Sequence, residues 1–120
     1  MRIALAAFAT MLATVPAMAA EVAISLSIPV SGDTGVSSTS SIYACGDDEV
    51  SVTYINAGDV SLALLEIDGG TVVASNVIAA SGAKYAGAQY IWWTKGEEAS
   101  LYDLNEGGED DPVSTCAVRE

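Results

Sequence analysis

Histidine is absent from this 120-residue chain, and only four lysines and arginines face sixteen aspartates and glutamates. Without imidazole there can be no Ser-His-Asp or Cys-His nucleophile, no histidine metal site and no imidazole acid–base work. A net charge of −12 repels nucleic acid and anionic membrane surfaces and draws in basic proteins. Cysteine occurs only twice, as Cys45 and Cys116, with no C-x-x-C spacing, so a redox pair is not expected. No stretch beyond residue 20 keeps a helical period over a dozen residues. A carboxylate-pair glycosidase is conceivable on composition alone, but it needs one acid in an apolar pocket opposite another at a set distance. The acids here sit mostly in turns, and Glu66, which interrupts an apolar run, reads as an outward strand residue. The chain is expected to bind rather than catalyse, and to need no cofactor or metal.

What is present begins with an export signal. Met1-Arg2 is a basic start, residues 3–15 are apolar, and Ala17-Met18-Ala19 forms an A-x-A cleavage site. Residues 1–19 therefore read as a cleaved leader. No cysteine lies near the cut, so no lipid anchor is expected and the product should be periplasmic. In that oxidising compartment Cys45 and Cys116 have one intramolecular pairing available, and a disulfide is expected.

Beyond the leader, residues 20–41 read as one strand, with Val22, Ile24, Leu26 and Ile28 alternating, followed by a Ser/Thr/Gly-rich linker over 31–41. Residues 42–120 form the folded domain. Turn signals recur there at Gly46-Asp47-Asp48, Asn56-Ala57-Gly58-Asp59, Asp68-Gly69-Gly70, Ser81-Gly82, Lys95-Gly96 and Gly107-Gly108, with Val-, Ile-, Leu-, Tyr- and Trp-rich runs between them. Asp68-Gly69 or Gly69-Gly70 makes a tight hairpin between strands over Leu62–Ile67 and Thr71–Ile78. Val50, Val52 and Tyr54 share one face of a strand, while Trp92 and Trp93 point to opposite faces, one core and one partly exposed. The pattern is an all-β antiparallel meander, either a small barrel or a sandwich, with closure favoured because it hides apolar edges. The acidic run from Glu106 to Asp111 lacks calcium-loop ligand spacing and reads as a solvated loop.

Only Lys84, Lys95 and Arg119 are basic beyond residue 20. Two of them flank Ser81-Gly82-Ala83-Lys84-Tyr85 and Trp92-Trp93-Thr94-Lys95-Gly96. Hairpin strands separated by one further turn bring both tips to one rim, with Ser81 and Lys95 as neighbouring donors.

These residues resemble the MliC/PliC family, bacterial inhibitors of c-type lysozyme. The resemblance covers about residues 43–116. It rests on Tyr43-Ala44-Cys45, the Val50-x-Val52-x-Tyr54-x-Asn56 strand, Ala80-Ser81-Gly82-Ala83-Lys84-Tyr85, Trp93-Thr94-Lys95-Gly96, Ala99-Ser100-Leu101 and Cys116. It implies an eight-stranded antiparallel barrel with one disulfide. It also implies that the inserting serine and lysine are Ser81 and Lys95, with Gly82, Lys84, Tyr85 and Thr94 completing the surface that meets c-type lysozyme. The missing lipid-accepting cysteine resembles the periplasmic branch. Without the resemblance, the same residues leave open a module for another basic protein, such as an endogenous peptidoglycan hydrolase.

Overall fold

The computed structural model describes residues 11–16, 22–31 and 35–119. Among them the alternating runs become eight strands: β1 (Val36–Cys45), β2 (Asp48–Ala57), β3 (Val60–Ile67), β4 (Gly70–Val77), β5 (Ala83–Gly87), β6 (Tyr90–Lys95), β7 (Glu98–Asp103) and β8 (Ser114–Val118). Each pairs antiparallel with the next, and β8 returns to β1 through Tyr43↔Val118 and Ala44↔Ala117. The result is a closed barrel, which decides against the sandwich.

Strand alternation sorts the side chains. Val50 and Val52 are buried while Ser51 and Thr53, which alternate with them, stay partly exposed. Trp92 is fully enclosed and Trp93 is on the outside. Val52, Leu65, Trp92 and Leu101 are among the residues filling the interior, each worth about 1.5–3 kcal/mol for a large apolar side chain. The buried indole is not left unpaired. Trp92 Nε1 donates to the Tyr54 hydroxyl at 2.9 Å, which shares a 2.8 Å hydrogen bond with Tyr43. Tyr43 also meets the Trp92 ring edge-on at 4.9 Å.

The β3–β4 turn uses Asp68 and Gly69, at φ 49° and 76°. Two successive left-handed residues match the twist of a two-residue hairpin, so this pair is the turn and Gly70 opens the next strand. Cys45 and Cys116 are bonded, with Cα atoms 4.2 Å apart, tying the end of β1 to β8. Closing so long a loop stabilises the fold by on the order of 4 kcal/mol on the chain-entropy account.

Two expectations need correction. Residues 22–30 form no strand, and the side chains of Val22, Ile24, Leu26 and Ile28 are exposed, because no sheet edge receives their alternation. The linker expected over 31–41 is strand from Val36 onward, since serine and threonine pair well against β2. The one further turn between the two tips joins β5 to β6, with Ala88 at φ 50° where glycine is the usual choice. The acidic run is the exposed loop expected before β8, with Glu109 reaching back to Lys84. The leader's cleavage site at residues 17–19 lies outside the described residues.

In a meander, successive connections alternate between the two ends of the barrel. The turns at 46–47, 68–69 and 88–89 and the 104–113 loop share one rim. Those at 58–59, 78–82 and 96–97 share the other.

Candidate functional site

The second rim carries both segments singled out in the sequence. The loop of residues 78–82 lies directly against the end of β6. Gly82 has φ 68°, and a Cβ there would collide with the Thr94 carbonyl oxygen and press on Lys95 Cγ at 2.9 Å. Only glycine lets this loop pass so close to the β6–β7 turn. Trp93 fastens it from outside, its Nε1 donating to the Ser81 carbonyl at 2.8 Å. Ser81 itself is exposed, in the loop that passes the Lys95 turn.

The three described cations differ sharply in their surroundings. Arg119 is ion-paired with Glu49. Lys84 is only 15% exposed, 3.7 Å from Glu109 and 4.9 Å from the centre of the Trp93 ring. Lys95 lies over that same ring at 4.9 Å, is exposed, and among the described residues has no carboxylate partner. An aromatic face holds an exposed ammonium by only about 0.5–1 kcal/mol, so Lys95 is pre-positioned yet free to leave.

Not every expected contact residue reaches the surface. Tyr85 points inward and is 6% exposed, tilted against Tyr54 at 5.7 Å. Burial raises its phenol above the ordinary tyrosine value, helped by the neighbouring Tyr43. Its place in the partner surface is therefore corrected to packing behind the loop, as strand parity opposite Lys84 requires. Thr94 is half-buried, its hydroxyl donating to the Ala83 carbonyl at 3.3 Å, which ties β6 to β5 rather than facing outward. Lys84, expected at the contact surface, is engaged within the molecule.

One residue was missed. Ile78, read from the sequence as the end of a strand, begins the loop and is 99% exposed. Asn76 marks the change, its side-chain amide donating to the Lys84 carbonyl at 3.2 Å just before β4 ends. The available signal was the Ala-Ala-Ser-Gly run that follows, too small-residued to continue an apolar strand.

Residues 43–110 match the family model described as membrane-bound lysozyme-inhibitor of c-type lysozyme. The chain belongs to the MliC family. Among MliC relatives, the membrane-bound lysozyme inhibitor of C-type lysozyme of Pseudomonas aeruginosa is 50% identical over 90 residues, 73% of this chain and 71% of that protein. The corresponding protein of Cupriavidus necator is 43% identical over 79 residues, 64% of this chain and 63% of its own length. In three dimensions the barrel is similar to P. aeruginosa MliC crystallised in complex with hen egg white lysozyme, with TM-score 0.65 and 44% identity over 82% of this chain and all of that one. It is also similar to PliC-St, a periplasmic lysozyme inhibitor of C-type lysozyme from Salmonella typhimurium, with TM-score 0.59 and 27% identity over 70% of this chain and all of that one. MliC proteins are inhibitors rather than enzymes. The MliC barrel here spends both cysteines on its disulfide.

Proposed function

We propose that this protein inhibits c-type lysozyme by inserting the Ser81 loop and the Lys95 turn into the enzyme's active-site cleft. The observation that carries the reading is Lys95: an exposed ammonium without a carboxylate partner among the described residues, beside the exposed Ser81, on a strongly acidic molecule. A c-type lysozyme works with two carboxyl groups in different protonation states, one a general acid and the other ionised. Ser81 donates to one and Lys95 brings its charge to the other, and such charge-assisted bonds are strong in a cleft emptied of water. Ile78 adds an apolar contact at the mouth. The rim fills the volume a glycan needs, so inhibition is competitive and non-covalent, and the net charge of −12 speeds encounter with a basic enzyme.

The same reading puts the protein at work in the periplasm, with its leader cut after Ala19. Cell fractionation with N-terminal sequencing tests that part. A turbidity assay of cell-wall lysis with hen egg white lysozyme tests the mechanism. Lys95→Ala should weaken inhibition by roughly 2–5 kcal/mol, the range for removing one member of a buried charge pair. Ser81→Ala should cost about 1 kcal/mol. An unchanged inhibition constant in Lys95→Ala removes the lysine from the mechanism. Inhibition confined to an endogenous basic hydrolase removes lysozyme as the target.

A further inference from the structure

Glu109 belongs to the loop of residues 104–113, which leaves and re-enters the barrel at the rim opposite the Ser81 loop and the Lys95 turn. Its carboxylate nevertheless lies 3.7 Å from Lys84, the second residue of β5, just after the 78–82 loop ends. The two ends of the 104–113 loop are tied down separately. The Glu106 and Gly107 amides donate to the Asp103 carbonyl at 3.0 and 3.1 Å, and the Val113 amide donates to the Leu101 carbonyl at 2.8 Å. Among the described residues, the Glu109–Lys84 contact is the one ion pair or hydrogen bond that joins residues 108–112 to the rest of the molecule.

Lys84 faces Trp93 across the β5–β6 ladder. Its ammonium is 4.9 Å from the centre of that ring and its side chain is only 15% exposed, so the stem lies against the indole while the charge meets Glu109. Lys95 puts a second ammonium 4.9 Å from the same centre. The two ammoniums are therefore within about 10 Å of each other, and physiological salt screens charge only over ~8 Å, so they repel unless one is neutralised. Glu109 supplies the neutralising charge. The ring that the two lysines share donates its N–H to the Ser81 carbonyl at 2.8 Å. A line of contacts thus runs from Glu109 through Lys84 and Trp93 to both Ser81 and Lys95.

We infer that Glu109 is a positioning residue for the inhibitory rim: by neutralising Lys84 it fixes the Trp93 ring, and through that ring the Ser81 carbonyl and the Lys95 ammonium. Without the carboxylate, two uncompensated ammoniums compete for one aromatic face, and the ring that fastens the Ser81 loop loses the stem packed against it. Glu109 acts through Lys84 and needs no contact of its own with a partner. The consequence for lysozyme rests on the inhibition proposed above, whereas the effect on the Trp93 ring stands without it.

Glu109→Gln, alone and combined with Lys84→Met, tests it in the protein purified from expressing cells. Nuclear magnetic resonance of the free protein reads hydrogen exchange at the two indole N–H groups. The Trp93 indole should exchange about two- to fivefold faster in Glu109→Gln, the range for losing an ion pair of this exposure. The Trp92 indole, bonded to Tyr54 inside the barrel, should keep its rate. Inhibition of hen egg white lysozyme should weaken by a similar factor. In the Lys84→Met background, Glu109→Gln should change neither quantity. A Trp93 indole that exchanges no faster in Glu109→Gln than in the wild type overturns the inference. So does a Trp92 indole that speeds up equally, since the whole barrel would then have loosened. A loss of inhibition of the same size with and without Lys84 overturns it too, because Glu109 would then act directly on the basic enzyme. If the wild type does not inhibit lysozyme, the proposed inhibition falls and the exchange rates alone decide the role of Glu109.

Discussion

Trp93 donates its indole N–H to the Ser81 carbonyl across the gap between β6 and the 78–82 loop, at 2.8 Å. The same ring lies beneath Lys95, so one outward side chain orients both halves of the proposed inhibitory rim. Lys84 occupies the ring as well and is neutralised by Glu109, which leaves Lys95 as the charge available to a partner.

Trp93→Phe separates these two roles. It keeps an aromatic face for the lysines and removes the bond to Ser81. Inhibition should weaken by about 1 kcal/mol, the net worth of one hydrogen bond, through a loosened loop. Competition binding together with a melting curve checks it. A variant as potent as the wild type would mean that Gly82 packing alone orders the loop.

Gly82→Ala tests that packing from the other side. The left-handed backbone and the clash with the Thr94 carbonyl oxygen force the loop off β6. Binding should fall at least tenfold, while far-ultraviolet circular dichroism stays that of the barrel, because the strands on either side keep their own ladders.

Ile78→Ser tests the residue that strand periodicity did not reveal. At 99% exposure the isoleucine contributes nothing to the folded monomer. Melting should be unchanged, and affinity for hen egg white lysozyme should fall by about 1.5–3 kcal/mol if the side chain is covered in the complex. Calorimetric titration reads both numbers. Equal affinity excludes Ile78 from the contact.

The pH response follows from the tyrosines. Burial raises the phenols of Tyr54 and Tyr85, with Tyr43 nearby as a further cause, and desolvation followed by the charges of Asp103, Asp68 and Glu106 raises Tyr90. An acid whose folded value exceeds its unfolded value near 10.0 holds its proton longer in the native state. Its contribution is complete below pH 10 and is lost as pH rises beyond that. With no histidine and both cysteines bonded, stability should be level from about pH 6 to 9 and fall steeply above about 10. Thermal melting across that range checks it, and a step near pH 6.5 would contradict it.

Much of the architecture was legible in local pattern. Period-two alternation put Val50 and Val52 on one strand face and Trp92 and Trp93 on opposite faces, and turn residues divided the strands. Two cysteines left one intramolecular pairing, and Cys45 and Cys116 make it. The absence of histidine removed whole classes of chemistry. These inferences succeed because alternation, left-handed turns and side-chain inventory are properties of a few consecutive residues. The serine-rich start of β1 escaped, since polar strands carry no hydrophobic period, and residues 22–28 carried the period without a sheet to receive them.

Long-range contacts governed the rest. Which described cation lacks a carboxylate partner depends on Glu109 folding back from the β7–β8 loop to Lys84, and on Glu49 meeting Arg119. Whether Tyr85 faces a partner or the core depends on the barrel closing around it, and whether Ile78 is covered depends on where β4 releases the chain. Such outcomes come from residues tens of positions apart brought together by ring closure. No window of neighbouring amino acids contains them, so the rim's working charge emerges only when the last strand meets the first.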